Sequence, residues 1–450
     1  KEINARLDAV EEIKEGYALR SNLRQELDKI YDIERLLSRI SYGSLDARDI
    51  VALKNSIAPL PSIQQLLKGC KSEALLQCAQ QLDTLDQLYA YLDGCICEDP
   101  PHGIRDGGFI KPGYNAEVDK LREAKTSGSE WLATMEQREK DATGIKNLKI
   151  KYNKVFGYYL EVTNSYKDLV PDYYTRKQTL ANAERYITPE LKELEDMILG
   201  AEDKLYALEY ELYSEVRETI AGQVERIQQT AKAVAALDAF SSLALVAERN
   251  NYVRPKINEK GILDIKEGRH PVVERMIPND MFIANDTYLD DKKHRISIIT
   301  GPNMAGKSKY MRQVALITLM AQIGSFVPAK SAKIGIVDKI FTRVGASDDI
   351  SSGQSTFMLE MTEVSHILKN ATSKSLIILD EIGRGTSTFD GLSIAWAVVE
   401  YIQNKHKIGA KTLFATHYHE LTELEEELDG VKNYRIAVKK RGDDITFLRK

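Results

Sequence analysis

The sequence has 450 residues, of which 43% are hydrophobic and 29% are charged, with 12 Pro and 27 Gly. This length predicts about three domains with sizeable cores, and the composition excludes a collagen, a disordered tail and a disulfide-rich miniprotein. The net charge is −5, from 62 basic and 67 acidic residues, so any contact with nucleic acid has to be a local basic patch.

No apolar run in the sequence approaches the roughly 20 residues that are needed to cross a bilayer. No secretory signal follows the charged first residues. The four cysteines lack the spacing of zinc ligands, so we interpret them as reduced thiols. These features predict a cytoplasmic protein without a membrane partner.

The first 144 residues are predicted to be mostly helical. Leucine and isoleucine recur at helical spacing from Leu23 to Ile40. A turn-rich stretch at 99–113 is followed by a long helix, predicted over about Ala116–Ala142. We assign residues 1–144 to a helical core and lever region.

A short basic and aromatic segment, residues 145–192, interrupts the helices. Its first part alternates polar and apolar residues, as a strand does. Between Gly144 and Lys192 there are nine basic and five acidic residues, a balance of +4. Such a segment fits a contact with nucleic-acid phosphates, while a solvated β-hairpin is the alternative. The candidate DNA-binding residues are Lys149, Lys151, Lys154, Arg176 and Lys177.

A heptad pattern follows, with apolar residues at alternating spacings of three and four. Its members are Leu191, Leu194, Ile198, Ala201, Leu205, Leu208 and Leu212. This seam predicts a helix that packs antiparallel against the earlier long helix, with the basic segment at the tip. We assign 193–254 to returning lever helices. Alternating strands and helices then predict an α/β domain with a largely parallel sheet over 255–450.

Residues 301–308 fit the phosphate-loop pattern G-x-x-x-x-G-K-[ST], between a predicted strand, Ile296–Thr300, and a predicted helix. Backbone N–H groups and the helix N-terminus favour a phosphate anion there. We expect Lys307 to neutralise phosphate charge and Ser308 to bind Mg²⁺. The candidate nucleotide-contacting residues of the loop are Gly301, Pro302, Asn303, Met304, Ala305, Gly306, Lys307, Ser308 and Lys309.

Two later strands are predicted to end on residues that suit hydrolysis of a nucleotide. Leu376–Leu379 runs into Asp380, which suits Mg²⁺ and its water shell, and Glu381, which suits orientation or deprotonation of the attacking water. A solvated strand end is the alternative. A third strand ends on His417, which we expect to sense the γ-phosphate, although a lone histidine is usually structural. Lys307, Glu381 and His417 are the predicted catalytic residues.

The Gly- and Ser-rich turn Ser351–Phe357 opens another predicted helix. It is therefore a second candidate for anion binding at a helix N-terminus. Because the phosphate loop already provides one such terminus, the turn indicates a composite site that a partner subunit completes.

Together these motifs resemble the MutS family of DNA mismatch repair ATPases, and the resemblance extends over essentially the whole chain. In the second half it rests on residues 268–274, 299–308, 310–313, 341–346, 351–357, 380–391 and 414–417. In the basic segment it rests on 152–159 and 184–191, which are similar to the DNA clamp of the family.

The resemblance implies an ABC-type, DNA-dependent ATPase that uses ATP and Mg²⁺ and acts as a homodimer. It implies mismatched or looped double-stranded DNA as a partner, a downstream MutL-type repair ATPase, and a place at the nucleoid. By it, Ser355 reaches the γ-phosphate of the partner subunit, and His417 is a switch residue. Phe282 and Ile283 match the residues that pack beside adenine in this family.

Two departures from the family pattern concern the loop and the extent of the chain. Lys309 stands where the family usually has Thr. The mismatch-reading and connector domains and the C-terminal helix-turn-helix of the family are not in the sequence. We therefore expect a piece of a longer protein that does not recognise a mismatch by itself.

Three other classes were compared with this interpretation. A transporter-type ABC ATPase requires a Leu-Ser-Gly-Gly-Gln signature, which the turn at 351–355 does not have. A structural-maintenance head inserts its coiled coil between the phosphate loop and the acidic strand, but here only 380 − 307 = 73 positions separate Lys307 from Asp380. A MutS-type paralogue that acts on DNA junctions stays open.

Overall fold

The structure, a computed structural model, describes residues 1–101, 107–277, 282–302, 306–344, 356–436, 438–441 and 444–447. The chain divides into two compact units. Unit 1 contains residues 1–25, 65–80 and 234–450, and unit 2 contains residues 26–64 and 81–233. The predicted fold class, a helical region followed by an α/β domain, is confirmed in outline. Helices dominate the first half of the chain, and a parallel sheet with helices occupies the second. The finer domain boundaries stay predictions.

The helices are α1 Glu2–Glu15, α2 Tyr17–Leu27, α3 Ile33–Ser41, α4 Ala47–Ile57, α5 Leu60–Leu67, α6 Glu73–Gln81, α7 Asp86–Cys95, α8 Ala116–Thr143, α9 Pro189–Ala221, α10 Val224–Arg249, α11 Val273–Met276, α12 Lys307–Ile323, α13 Thr356–Asn370, α14 Thr388–Gln403 and α15 Leu424–Glu427. The strands are β1 Lys149–Asn153, β2 Gly157–Thr163, β3 Thr175–Thr179, β4 Ala183–Ile187, β5 Lys256–Asn258, β6 Leu263–Gly268, β7 Asn285–Leu289, β8 Ile296–Thr300, β9 Ser331–Gly335, β10 Ile340–Arg343, β11 Leu376–Asp380, β12 Lys411–Ala415, β13 Val431–Arg435, β14 Val438–Arg441 and β15 Asp444–Phe447.

In unit 2 the two long helices α8 and α9 pack antiparallel. Lys125 pairs with Glu202 at 2.7 Å, and Arg138 pairs with Glu190 at 2.5 Å, so residue numbers rise on one helix as they fall on the other. Five of the seven heptad positions are buried, while Ala201 and Leu208 are half-buried. The predicted antiparallel packing of the seam is therefore confirmed.

The chain between α8 and α9 forms a four-stranded antiparallel sheet in the order β1-β2-β4-β3. Three glutamates of the long helices hold this sheet. Glu136 accepts a hydrogen bond from the N–H of Ile150 at 2.8 Å, and Glu195 accepts one from the N–H of Tyr158 at 2.6 Å. The buried Glu139 accepts one from the Tyr174 hydroxyl at 2.8 Å.

In unit 1 a five-stranded parallel sheet has the order β10-β11-β12-β8-β13. Every residue of β8, β11 and β12 is buried, as expected for strands that are covered on both faces. Side chains such as Ile378 pack with α12 on one face, and side chains such as Ile377 pack with α13 and α14 on the other. The sequence did not predict a second, mixed sheet in the order β5-β9-β6-β7.

The first helices of the chain also belong to unit 1. Arg254, which precedes β5, pairs with Asp8 of α1 at 2.6 Å and also with Glu11. Arg20 of α2 pairs with Glu248 of α10. Residues that are more than 200 positions apart thus form one compact unit.

Among the described residues, α10 is the helix that is long and apolar enough by composition to cross a bilayer, with a mean hydropathy of 1.4 over its best window. Half of that window is buried inside the protein. The core helix of a globular domain gives the same values.

Replacing Gly128 of α8 with Ala tests the helix packing of unit 2. A Cβ atom there would lie 2.5 Å from Cγ1 of Ile198, so we expect the free energy of unfolding to fall by about 1–3 kcal/mol. Gly200→Ala on α9 is the matched control, because nothing lies within 4 Å of its Cβ and better helix propensity should stabilise it by up to about 1 kcal/mol. Urea unfolding followed by Trp131 in a Trp396→Phe background measures both. Equal effects of the two substitutions would contradict the packing.

Candidate functional site

The predicted nucleotide site lies at one edge of the parallel sheet. Parallel strands end at the same edge, so the residues after β8, β11 and β12 are neighbours there. The N–H of Thr416 donates to the carbonyl of Ile299 at 3.0 Å, which extends the pairing of β12 with β8 to this edge. Gly301, Glu381 and His417, which sequence reasoning placed after three separate strands, are thus brought to one edge.

The loop after β8 makes two turns that favour glycine. Gly301 has φ +146° and Gly306 has φ +85°, and α12 begins directly afterwards at Lys307. The Lys307 side chain is 2% exposed, and its Nζ donates to the carbonyl of Gly301 at 2.6 Å. The lysine therefore lies across the loop. Asn303, Met304 and Ala305 lie outside the described residues.

The remaining loop positions differ in exposure. Ser308, on the first turn of α12, is half-buried, while Pro302 and Lys309 are exposed. The departure at Lys309 therefore places an additional exposed cation beside the loop. This charge is one cause of a lowered pKa at His270, although burial is the larger cause.

Asp380 ends β11 and is 7% exposed. Within the described part of the chain its Oδ1 has no hydrogen-bond partner. Burial raises the pKa of this carboxyl above its usual value, and the neighbouring Glu381 raises it further, while Ser308, Lys307 and Arg312 oppose the rise.

Burial likewise lowers the pKa of Lys307, which Glu381 and Asp380 oppose. The attraction between these two buried charges therefore offsets the free-energy cost of burying them only in part. A buried acceptor without a partner, beside a hydroxyl and an ammonium group, fits a divalent cation bound together with an anion.

Glu381 has a backbone φ of +55°, a left-handed conformation that costs a residue with a side chain about 1 kcal/mol. Its N–H donates to the carbonyl of Ala415 at 2.9 Å, which holds it between β11 and β12. Its carboxylate pairs with Arg384 at 2.7 Å. Strain of this kind is concentrated at functional sites.

His417 is exposed, and its ring lies 4.5 Å from the ring of the buried Tyr418. It lies at the same sheet edge as the other predicted residues, and its side chain is accessible to solvent. Ser355, the residue expected to act on the partner subunit, lies outside the described residues.

Phe282 and Ile283 are half-buried and lead into β7. Beside β7 is a cavity of about 470 Å³, which sequence reasoning missed. Its lining includes Asn285, Tyr310 of α12 and Ile436 after β13. The sequence predicted that Tyr310 lies in a helix. It did not predict that Tyr310 and Ile436 line the same cavity, because that depends on the pairing of β8 with β13.

The five candidate DNA-binding cations do not share one face of the four-stranded sheet β1-β2-β4-β3, called the clamp sheet below. Lys149 and Lys151 lie on one face of β1, and Lys154 is in the turn before β2. Arg176 pairs across the sheet with Tyr186 on the opposite face, and Lys177 lies at a bulge in β3. All five are exposed.

Two of these cations have carboxylate neighbours. Lys151 pairs with Glu161 at 2.7 Å, and Arg176 lies 3.7 Å from Glu184. In the part of the chain that the structure describes, no carboxylate lies within ion-pairing distance of the other three, Lys149, Lys154 and Lys177.

Comparison with known proteins gives family matches over most of the chain. Residues 1–244 match the family model described as MutS domain III, and residues 297–450 match MutS domain V. The two matched regions include the clamp sheet and the edge of the parallel sheet.

The relatives found are bacterial proteins named DNA mismatch repair protein MutS. The one from Lachnoclostridium phytofermentans is 65% identical over 449 residues, which are 100% of this chain and 48% of that protein. Those from Acetivibrio thermocellus and Caldicellulosiruptor bescii are 59% and 60% identical over 100% of this chain and over 51% and 52% of their own length. The chain spans about half the length of the relatives that it matches.

Replacing Asp380 with Asn tests the electrostatics of this edge without nucleotide. A raised pKa stabilises the folded state below the ordinary carboxyl pKa, and this contribution is lost as pH rises through the raised value. We therefore expect Asp380→Asn to be more stable than wild type in EDTA, by a margin that grows from pH 4 to pH 7.

Urea unfolding measures this margin, with Trp396 following unit 1 in a Trp131→Phe background. Glu426→Gln, at an exposed carboxylate of α15, should show no growing margin. The same margin in both variants would contradict the burial effect.

Proposed function

The chain belongs to the MutS family, and we propose that it is the ATP-hydrolysing and DNA-gripping part of a DNA mismatch repair protein. The observation that carries the proposal is the burial of two opposite charges, Lys307 and Asp380, at the edge of the parallel sheet, beside a phosphate-loop sequence. On this proposal unit 1 contains an ABC-type ATPase that works as a homodimer. Its partners are mismatched or looped double-stranded DNA and a MutL-type repair ATPase, in the cytoplasm.

ATP with Mg²⁺ supplies the bond to be cleaved and the divalent charge that stabilises the leaving phosphate. Lys307 neutralises phosphate charge, since its ammonium group already spans the loop to Gly301. The Ser308 hydroxyl and Asp380 hold the cation, Asp380 through water. The buried Oδ1 of Asp380 supports this assignment, because cation binding would satisfy an acceptor that has no partner among the described residues.

Glu381 orients the attacking water or takes its proton. The strained backbone at this residue supports an assignment in which the carboxylate direction matters more than the stability of the turn. His417 contacts the γ-phosphate from the end of β12, and Ser355 of one subunit reaches the γ-phosphate bound to the other. Phe282 and Ile283 pack beside the adenine ring.

The sheet of unit 2 grips the DNA backbone on this proposal. Its exposed lysines without ion pairs support phosphate contacts, which position a protein on a duplex but carry no sequence information. The glutamate anchors from α8 and α9 support a clamp that moves with these helices. Nucleotide binding then changes the grip on DNA through the helices.

Mixing two inactive variants tests the composite ATPase. Glu381→Gln removes the base and Ser355→Ala removes the group acting in trans, so each variant alone should lose about 100-fold or more of its turnover. In a mixed dimer one of two sites has both groups intact. Random pairing makes half of the dimers mixed, so the mixture should recover about a quarter of the wild-type turnover.

Turnover per subunit, measured over a range of protein concentrations, gives the result, and it should rise with concentration for the wild type. A mixture that stays inactive while wild type turns over would contradict the action in trans. Full turnover of Glu381→Gln would contradict the assignment of the base.

Reversing the charges of Lys149, Lys151 and Lys154 to Glu tests the clamp. We expect duplex binding to weaken about tenfold or more, equally for matched and mismatched DNA, with the salt slope smaller by about 1 for each lost phosphate contact. The matched control makes the same charge change at the exposed residues Lys256, Lys260 and Lys405 of unit 1. Equilibrium binding at several salt concentrations measures both, and equal losses would contradict a clamp at the sheet.

A further inference from the structure

The peptide groups around Gly383, two residues after Glu381, are held on both sides by buried side chains. The N–H of Gly383 donates to Oε1 of Glu360 on α13 at 2.5 Å. Its carbonyl accepts a hydrogen bond from the hydroxyl of Tyr418 at 3.0 Å. Glu360 and Tyr418 are each 5% exposed, so water does not compete for these bonds.

The backbone at this position has no room to shift. Gly383 has φ +87°, and a Cβ atom there would lie 2.5 Å from the carbonyl oxygen of Gly391. A Cβ atom at Gly391 would lie 2.3 Å from the Tyr418 hydroxyl. The segment after Glu381 therefore folds back, so that Gly383 and Gly391 both lie against the Tyr418 hydroxyl. The position of the Gly383 backbone in turn determines where the preceding residues lie.

Glu360 is itself fixed by a buried cation. Nη2 of Arg343, at the end of β10, lies 3.8 Å from Oε2 of Glu360, and its Nε lies 2.8 Å from Glu363 one turn later. Arg343 is 6% exposed. The carboxylate of Glu360 thus joins β10, α13 and the segment after β11.

Burial raises the pKa of the Tyr418 hydroxyl, and Glu360 and Glu420 raise it further. The hydroxyl therefore keeps its proton and serves as a donor to Gly383. Tyr418 follows His417 directly, and their rings are in contact.

We propose that Glu360 and Tyr418 are positioning residues that set the direction of Glu381 and His417 through the Gly383 backbone. The inference rests on the proposed ATPase function. The helix that carries Glu360 begins at Thr356, directly after the residue proposed to act in trans. The hydrogen bond of Glu360 with Gly383 therefore connects α13 to the segment that carries the catalytic carboxylate.

Tyr418→Phe removes one hydroxyl and keeps the ring. We expect kcat to fall about tenfold because Glu381 loses its fixed direction, with KM for ATP nearly unchanged and the Tm lowered by only a few degrees, as the loss of one buried hydrogen bond requires. Glu360→Ala should lose at least as much kcat, and Glu360→Gln should retain most of it, because the amide oxygen still accepts the N–H of Gly383.

Two control variants separate this role from general stability. Glu363→Ala keeps the same helix but removes the other carboxylate that pairs with Arg343, and Tyr401→Phe removes an exposed hydroxyl of α14. Both should keep the wild-type kcat.

The outcomes distinguish this inference from the proposed function. If wild type hydrolyses ATP, Glu381→Gln does not, and Tyr418→Phe and Glu360→Ala keep the wild-type kcat, the positioning role is overturned while the ATPase stands. It is also overturned if Glu363→Ala lowers kcat as much as Glu360→Ala does. A wild-type chain without turnover, or an active Glu381→Gln, overturns the proposed function and the inference with it.

Discussion

The proposed nucleotide site depends on the burial of two opposite charges, Lys307 and Asp380, at the carboxyl edge of a sheet whose central strands are covered on both faces. Transfer of an ion out of water costs several kcal/mol, which a partner offsets only when the geometry is good. The pKa of each group shifts towards its neutral form, so the compensation is incomplete. On the proposed function, the remaining cost would be reduced when an anion and a cation bind together at this edge.

Much of the fold could be predicted because its local signals are strong. The predicted strand Ile296–Thr300 is β8, and the long helix expected near Ala116–Ala142 is α8. The heptad pattern indicated the partner of α8 as well as the helix itself. The spacing of apolar residues predicts the packing partner of a segment when the partner presents a continuous and regular surface.

Other parts of the fold had no comparable local signal. The mixed sheet β5-β9-β6-β7 is built from strands of only three to six residues, and β9 lies between partners that precede it in the chain. The contacts that join α1 to residues after 234 include ion pairs such as Arg254 with Asp8. Pairing over such distances leaves no periodicity in either segment, so sequence reasoning had no means to find it.

Some residues of the candidate site could likewise be predicted from the sequence, and others could not. Lys307, Asp380 and Glu381 could be predicted as site residues because each ends or follows a strand in a recognisable motif. Glu360 lies inside a helix without a motif, and its role depends on the path of the backbone at Gly383. The clamp cations were predicted from charge alone, which does not reveal that Arg176, through its pairing with Tyr186, lies on the face opposite Lys149.

The placement of α1 in unit 1 has a consequence for synthesis on the ribosome. Asp8 and Arg254 are 246 residues apart, so at roughly 5–20 residues per second the helix emerges about 12–50 s before its partner. During that time the apolar residues Leu7, Val10 and Ile13, which are buried in the folded protein, lack the part of their unit that begins at residue 234. All residues of unit 2 precede residue 234, so unit 2 is synthesised in full before the core of unit 1 is complete.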